Sequence, residues 1–311
     1  MSYVATLISP PGTHAVTHDI CVAIARLLPF GRIGPRLDPG CAIDIEFSMQ
    51  DVAEADFGHG GERGFLDDLT LECRDALKKW PIDVVIQRDD DDRRKLLLIA
   101  DMDSTMIGQE CIDELADFAG AKAHVAAITE RAMRGEIAFE PALRERVALL
   151  KGLSAAIVDE VIASRITLTP GARTLIATMR SHGAYAALIS GGFTLFTSKI
   201  AAMIGFDEHR GNDLLVADGR FTGEVAEPIL GREAKHAALL QLAQARGIEL
   251  AATLAVGDGA NDLAMLVAAG LGVAYRAKPA VAAAAHAAIA HGDLTALLFA
   301  QGYARAEFVG G

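Results

Sequence analysis

The chain has 311 residues, 51% of them hydrophobic, enough to bury a full core and, at roughly 100–200 residues per domain, to build two folding units. Its 41 acidic residues against 29 basic ones leave a net charge of −12, which argues against a nucleic-acid partner because that needs a basic face. No apolar run approaches the ~20 residues that span a bilayer, so no membrane role is expected.

The opening segment MSYVATLISPPGTHAVT lacks the basic head and apolar stretch of a secretion signal. Tyr3–Ile8 reads as an apolar strand closed by Pro10-Pro11-Gly12, and Val16–Leu28 has helical spacing through Ile20, Ala23, Ile24 and Leu27. A short strand near Arg32–Leu37 is followed by Cys41–Phe47, which alternates apolar and acidic residues like a half-buried strand. Phe65–Lys79 is helical and Ile82–Gln87 is a strand. This order predicts a small α+β unit of ferredoxin-like type over residues 1–88, with two helices on one face of its sheet. Residues 89–95 complete the charge cluster Arg88–Lys95 and read as a solvated linker. The four cysteines, Cys21, Cys41, Cys73 and Cys111, form no CxxC pair and suit reduced thiols in the cytoplasm.

Leu96–Ala100 is a continuous apolar run, as in a parallel strand covered on both faces. Residues 107–166 are helical and charged, with the form of an insertion that could cap a site. From Thr167 onward helix and strand alternate. Strands are expected at Ala184–Ile189, Thr253–Val256, Gly272–Tyr275 and Ala288–Ala290, with a hairpin turning at Asp218-Gly219. The pattern predicts an α/β doubly wound parallel sheet over 96–106 and 167–311, whose sites lie at the carboxyl ends of its strands.

Four groups fall at that edge. Asp101-Met-Asp103-Ser-Thr105 follows the first core strand, and residues two apart in an extended segment point the same way. Gly257-Asp258-Gly-Ala-Asn261-Asp262 follows another strand. Capping of the next helix is an alternative use of these side chains, but it accounts for one of them and not four. Clustered carboxylates repel one another unless a hard cation, best Mg2+, sits among them. Ser190-Gly191-Gly192 precedes a helix, where a hydroxyl and backbone N–H groups make an anion site. Lys235 lies early in the helix Arg232–Arg246, a place where a lysine is ordinarily solvated.

The order DxDST, SGG, Lys, GDGxND over roughly Leu96–His291 resembles the haloacid dehalogenase superfamily, and within it the phosphoserine phosphatase family. The cap segment Phe139-Glu-Pro-Ala-Leu-Arg-Glu-Arg146 is similar to that family's own. The resemblance implies Asp101 as nucleophile and Asp103 as acid and base. It also implies Mg2+ held by Asp101, Asp258 and the Asp103 main-chain carbonyl, with Asp262 supporting the metal or Lys235. Ser190, Gly191, Lys235 and Asn261 would hold the phosphate of a small phosphomonoester, and Glu110 and Arg146 the amino and carboxylate groups of phosphoserine. Phe139 and Met106 would line the pocket's apolar wall or belong to the cap's own core. Phosphothreonine hydrolysis or phosphoryl transfer forming phosphohomoserine is the nearer alternative, and a phospho-aspartate regulatory module the remoter one. The first 88 residues resemble an ACT-type module, which implies a homodimer as a possible assembly and assigns no ligand residue.

Overall fold

The apolar strands at the start of the chain build a small sheet first. In a computed structural model describing residues 2–49, 61–133 and 136–310, β1 (Ser2–Ile8), β2 (Arg32–Asp38), β3 (Ala42–Ser48) and β4 (Asp83–Arg88) pair antiparallel in the order β2-β3-β1-β4. With α1 (His18–Ala25) and α2 (Gly61–Leu77) between them, this is the ferredoxin-like order expected. Thr17 caps α1 by accepting the Ile20 N–H. Tyr3, Ala5, Leu7, Ile45 and Phe47 cover one face and pack on Ile20, Ile24, Leu69 and Cys73 of the two helices.

The second face is not in solvent. Ile8, Ala42 and Val85 share an apolar core with the larger unit, so the half-buried reading of the third strand is corrected. Asp44 is only 2% exposed there. Its carboxylate accepts bonds from Arg93 at 2.8 and 2.9 Å and from Thr6 at 2.8 Å, the pairing a buried charge needs. The solvated reading of 89–95 is corrected for the same reason. Asp90, Asp91 and Asp92 face water, but Arg93 turns inward and its Nε reaches the Ala300 carbonyl at 3.2 Å. Lys95 is 5% exposed and donates to the Ala251 carbonyl at 2.7 Å. Long cationic side chains bury their aliphatic stems readily, which a bare count of charges conceals.

The larger unit is a six-stranded, wholly parallel sheet ordered β12-β11-β10-β5-β6-β7. Its strands are β5 (Leu97–Ala100), β6 (Tyr185–Phe193), β7 (Glu208–Asn212), β10 (Thr253–Gly257), β11 (Leu271–Tyr275) and β12 (Ala287–Ile289). Leu98 and Ala100 face one core while Leu97 and Ile99 face another, so β5 is apolar on both sides. The chain winds outward from β5 in both directions, and the carboxyl ends of β5, β6 and β10 meet where the order switches.

Between β5 and β6 the chain passes through α3 (Cys111–Phe118), α4 (Lys122–Met133), α5 (Phe139–Ala148) and α6 (Ile157–Ser164), then α7 (Ala172–Ser181). A hairpin of β8 (Leu214–Ala217) and β9 (Arg220–Val225) turns at Asp218 and Gly219, both at positive φ (50° and 73°), as its sequence predicts. The Gly152 N–H donates to the Phe221 carbonyl at 2.8 Å, tying this hairpin to the chain leaving α5. The two units are stapled by Asp83, 5% exposed, whose carboxylate accepts the N–H groups of Ala290, His291 and Gly292 at 2.9, 3.1 and 2.8 Å.

Candidate active site

Asp101 leaves β5 in an extended conformation, and the chain then makes a tight turn over Met102–Met106, with Ser104 at φ 56°. Asp101 Oδ1 accepts the Met102 N–H at 2.8 Å and the ammonium of Lys235 at 2.8 Å. Lys235 comes from α9 (Arg232–Arg246) and is 1% exposed, so it does not occupy the solvated place usual for a helix lysine. Its second bond, at 2.6 Å, goes to Oδ1 of the fully buried Asp262. Asp262 Oδ2 accepts the Gly259 N–H at 3.0 Å. Gly257 is glycine for room: a Cβ there would lie 2.4 Å from Asp262 Cγ.

Asp258 Oδ1 accepts the Thr105 hydroxyl at 2.9 Å. Single carboxylate oxygens of Asp101, Asp258 and Asp262 all lie within 4.8 Å of one another. One ammonium cannot neutralise three carboxylates. Burial by itself would lower the pKa of Lys235, but Asp101 and Asp262 outweigh it and raise it, so the lysine stays charged. The pKa of Asp101 is nevertheless driven well up, by burial first and then by Asp262, and burial lifts Asp258 to about 6. The surplus negative charge is one a divalent cation would offset. The donors suit one: Asp101 Oδ2 and Asp258 Oδ2 make no hydrogen bond among the described residues, whereas both oxygens of Asp262 are occupied.

Asp103 lies opposite, its Oδ2 3.1 Å from where a Cβ on Gly192 would sit. Burial chiefly, then Glu110, pushes its pKa up to about 7. Ser190, 1% exposed, accepts the Gly192 N–H on its Oγ at 2.9 Å. The expected strand end at Ile189 is corrected: Ser190-Gly191-Gly192 continue β6 to Phe193, and the helix expected after them is α8 (Thr194–Ile204). Pairing with β7 resumes at Phe193 and Asn212 after an irregularity beyond Ile189, which keeps the segment in the strand. Asn261 is half-buried and folds its Oδ1 back over Gly259.

Glu110 precedes α3 and accepts the Ser104 hydroxyl at 2.6 Å; it keeps an exposed edge, yet the protein around it raises its pKa. Arg146, on α5, donates from Nε to the Ala142 carbonyl at 3.1 Å and from Nη1 to Thr129 Oγ1 at 3.4 Å. Burial lowers its pKa against the fields of Asp113 and Glu110. The Phe139 ring rests over two glycines, with Cζ 3.4 Å from a Cβ position on Gly191 and Cδ1 3.3 Å from one on Gly231. Met106 is wholly buried in the core.

Sequence reasoning passed over two residues. Thr105 sat inside a motif read for its carboxylates. Asn212, 2% exposed, donates to the carbonyls of Gly191 and Leu230 at 2.8 and 3.1 Å and accepts the Leu230 N–H at 2.7 Å. It thereby joins the Ser190 segment to the loop that feeds Lys235. An asparagine just before a hairpin reads as turn chemistry, so only its spacing from the SGG segment hinted at more.

The chain belongs to the haloacid dehalogenase-like hydrolase family, whose model matches residues 98–267. Within that class it falls among the phosphoserine phosphatases. It is 49% identical over 207 residues to the phosphoserine phosphatase of Polaromonas sp., a match taking in 65% of this chain and 88% of that one. It is 47% identical over 215 residues to the phosphoserine phosphatase of Streptomyces coelicolor, covering 69% of this chain and about half (52%) of that longer protein. The unliganded crystal structure of a probable phosphoserine phosphatase from Vibrio cholerae superposes with a TM-score of 0.76 at 33% identity, covering 98% of this chain and 88% of the other.

Proposed function

We propose that the protein hydrolyses O-phospho-L-serine to L-serine and phosphate through a phosphoryl group carried transiently on Asp101. One observation carries this reading: buried Lys235 binds one oxygen of Asp101 and leaves the other without a partner among the described residues, beside Asp258. The Asp101 carboxylate attacks phosphorus through one oxygen, its other oxygen remaining for charge-stabilising contacts, and the serine oxygen departs. With its pKa near 7, Asp103 holds a proton in a substantial fraction of molecules at neutral pH. It gives that proton to the departing oxygen, then takes one from the water that hydrolyses the acyl phosphate. Lys235, the Ser190 hydroxyl and the Gly191 N–H stabilise the phosphoryl oxygens, and Asn261 orients them. Asp101, Asp258 and the Asp103 main-chain carbonyl would hold Mg2+, which, when bound, screens repulsion between carboxylate and phosphate.

Glu110 receives the ammonium of the substrate and Arg146 its carboxylate, a bidentate match for a guanidinium. The helices of 107–166 act as the cap, 96–106 with 167–311 as the catalytic unit, and 1–88 as a unit packed against it, joined by 89–95. A homodimer, a cytoplasmic location and the closing step of serine biosynthesis belong to the same proposal. Among the described residues, no helix is long and apolar enough to cross a membrane.

The test is phosphate release from L-phosphoserine with Mg2+ or with EDTA, beside phosphothreonine and para-nitrophenyl phosphate. Metal-dependent release favouring L-phosphoserine, lost in a folded Asp101→Asn variant, is the expected result. Release only from the other phosphates would discard the serine assignment while keeping the mechanism.

A further inference from the structure

Where α2 and β4 meet β12, far in sequence from the chemistry above, the surface holds a cleft of about 250 Å3. Leu77, Trp80, Ile82 and Val84 give it an apolar wall, and Arg74, Lys78 and His291 bring cationic or titratable side chains. Arg74 is the unusual member. It sits half-buried in the last turn of α2, and burial lowers its pKa, yet its guanidinium has no hydrogen-bond or ion-pair partner among the described residues.

The two carboxylates whose fields reach it are engaged elsewhere. Asp83 is spent on the N–H groups of residues 290–292, and Asp67 pairs with Arg63. Lys78 is paired with Asp75 at 2.8 Å on the exposed side of the helix. Removing a cation from water without supplying an acceptor is unfavourable. In a chain carrying a surplus of twelve negative charges, acceptors are plentiful, and this guanidinium is still left open to the cleft.

We propose that the cleft binds a small organic carboxylate, with its charged end on Arg74 and its apolar body against Trp80, Leu77 and Ile82. The planar fork of a guanidinium matches a carboxylate bidentately. The volume is below the roughly 300–1,000 Å3 of drug-sized sites, which limits the body to a small ring or branched chain. An occupant touches α2, β4 and β12 together and so reinforces the junction that Asp83 staples. The site is independent of the phosphatase reading.

Trp80 is the single tryptophan of the chain, so its emission reports on this cleft alone. The full-length protein is titrated with cyclohexanecarboxylate, and with cyclohexylmethanol as the uncharged counterpart. A saturable change with the carboxylate and none with the alcohol is expected, equally in the wild type and in Asp101→Asn. Arg74→Gln should weaken binding by about tenfold or more, and Arg74→Lys by less, because charge survives but the fork does not. A circular-dichroism spectrum and a urea midpoint matching the wild type certify the fold of both Arg74 variants, whatever the protein's activity. A non-saturating wild-type titration, an alcohol as effective as the acid, or undiminished binding in folded Arg74→Gln each overturns the proposal.

Discussion

Replacing Lys235 by Met tests the charge balance at the heart of the site. Methionine keeps most of the stem's volume, so the loss is electrostatic and leaves little cavity. The ammonium is 1% exposed and bridges Asp101 at 2.8 Å and Asp262 at 2.6 Å, side chains that are 8% and 0% exposed. Removing one partner from a buried ion pair costs about 3–5 kcal/mol, and here two carboxylates lose the same cation. Part of this is relieved when a carboxylate takes up a proton. Without Lys235 the folded pKa of Asp101, already raised, rises further above its unfolded value. The folded state then binds more protons than the unfolded one, and stability falls as pH rises. Urea unfolding in EDTA should therefore show the upper end of that range near pH 8 and the lower end near pH 5. Mg2+ should recover part of the loss, and turnover should fall by about 10²–10³-fold. A destabilisation below about 1 kcal/mol in EDTA would refute the buried-charge account, and undiminished turnover would refute the role given to Lys235.

Arg146→Ala should lower kcat/KM for L-phosphoserine by about 10–150-fold, the worth of one charge-assisted bond. Turnover of para-nitrophenyl phosphate should stay within a few-fold, and equal losses on both would remove Arg146 from substrate recognition. Asp83→Ala orphans the buried Gly292 N–H and leaves those of the exposed Ala290 and His291 to water, so urea unfolding should show a loss of about 1–3 kcal/mol. A loss within experimental scatter would mean that the staple does not hold the units together. His286 accepts the Gly272 N–H on Nδ1 at 2.9 Å, and burial lowers its pKa to about 4. The unfolded chain protonates this ring near pH 6.5 and the folded protein does not. Stability should thus drain away as pH falls from about 6.5 towards 4, by up to about 3 kcal/mol. His286→Asn, which keeps an acceptor near the place of Nδ1 without titrating, should flatten that limb of the urea-stability profile.

The larger fold was legible because its signals are local. Leu97–Ala100 and Thr253–Gly257 are apolar on both faces, and Asp218-Gly219 is a turn by its own backbone preference. Asp101, Asp258 and Ser190 could be gathered because each lies at or just beyond the carboxyl end of a strand, where topology brings neighbouring ends together. What stayed hidden depends on distant partners. Asp44, Arg93 and Lys95 look solvated in sequence, and only the packing of one unit on the other buries them. Ser190-Gly191-Gly192 looks like a turn, yet pairing beyond it carries the strand to Phe193. Asn212 joins the end of β6 to the loop before α9 through three bonds that its turn-like setting conceals.

The end of the helix Ala296–Ala300 bears on how the chain can be shortened. The Ala300 carbonyl receives donors from Gln87 at 2.7 Å and Arg93 at 3.2 Å, side chains that arrive from near the other end of the polypeptide. The last carbonyls of a helix lack intrahelical donors; those of Leu297, Leu298 and Phe299 receive them from Gln301, Tyr303 and Gly302 of the same unit, and Ala300 alone draws its donors from outside. Trimming the N-terminal unit from this chain therefore calls for compensating substitutions beside Ala300 as well as at the cut.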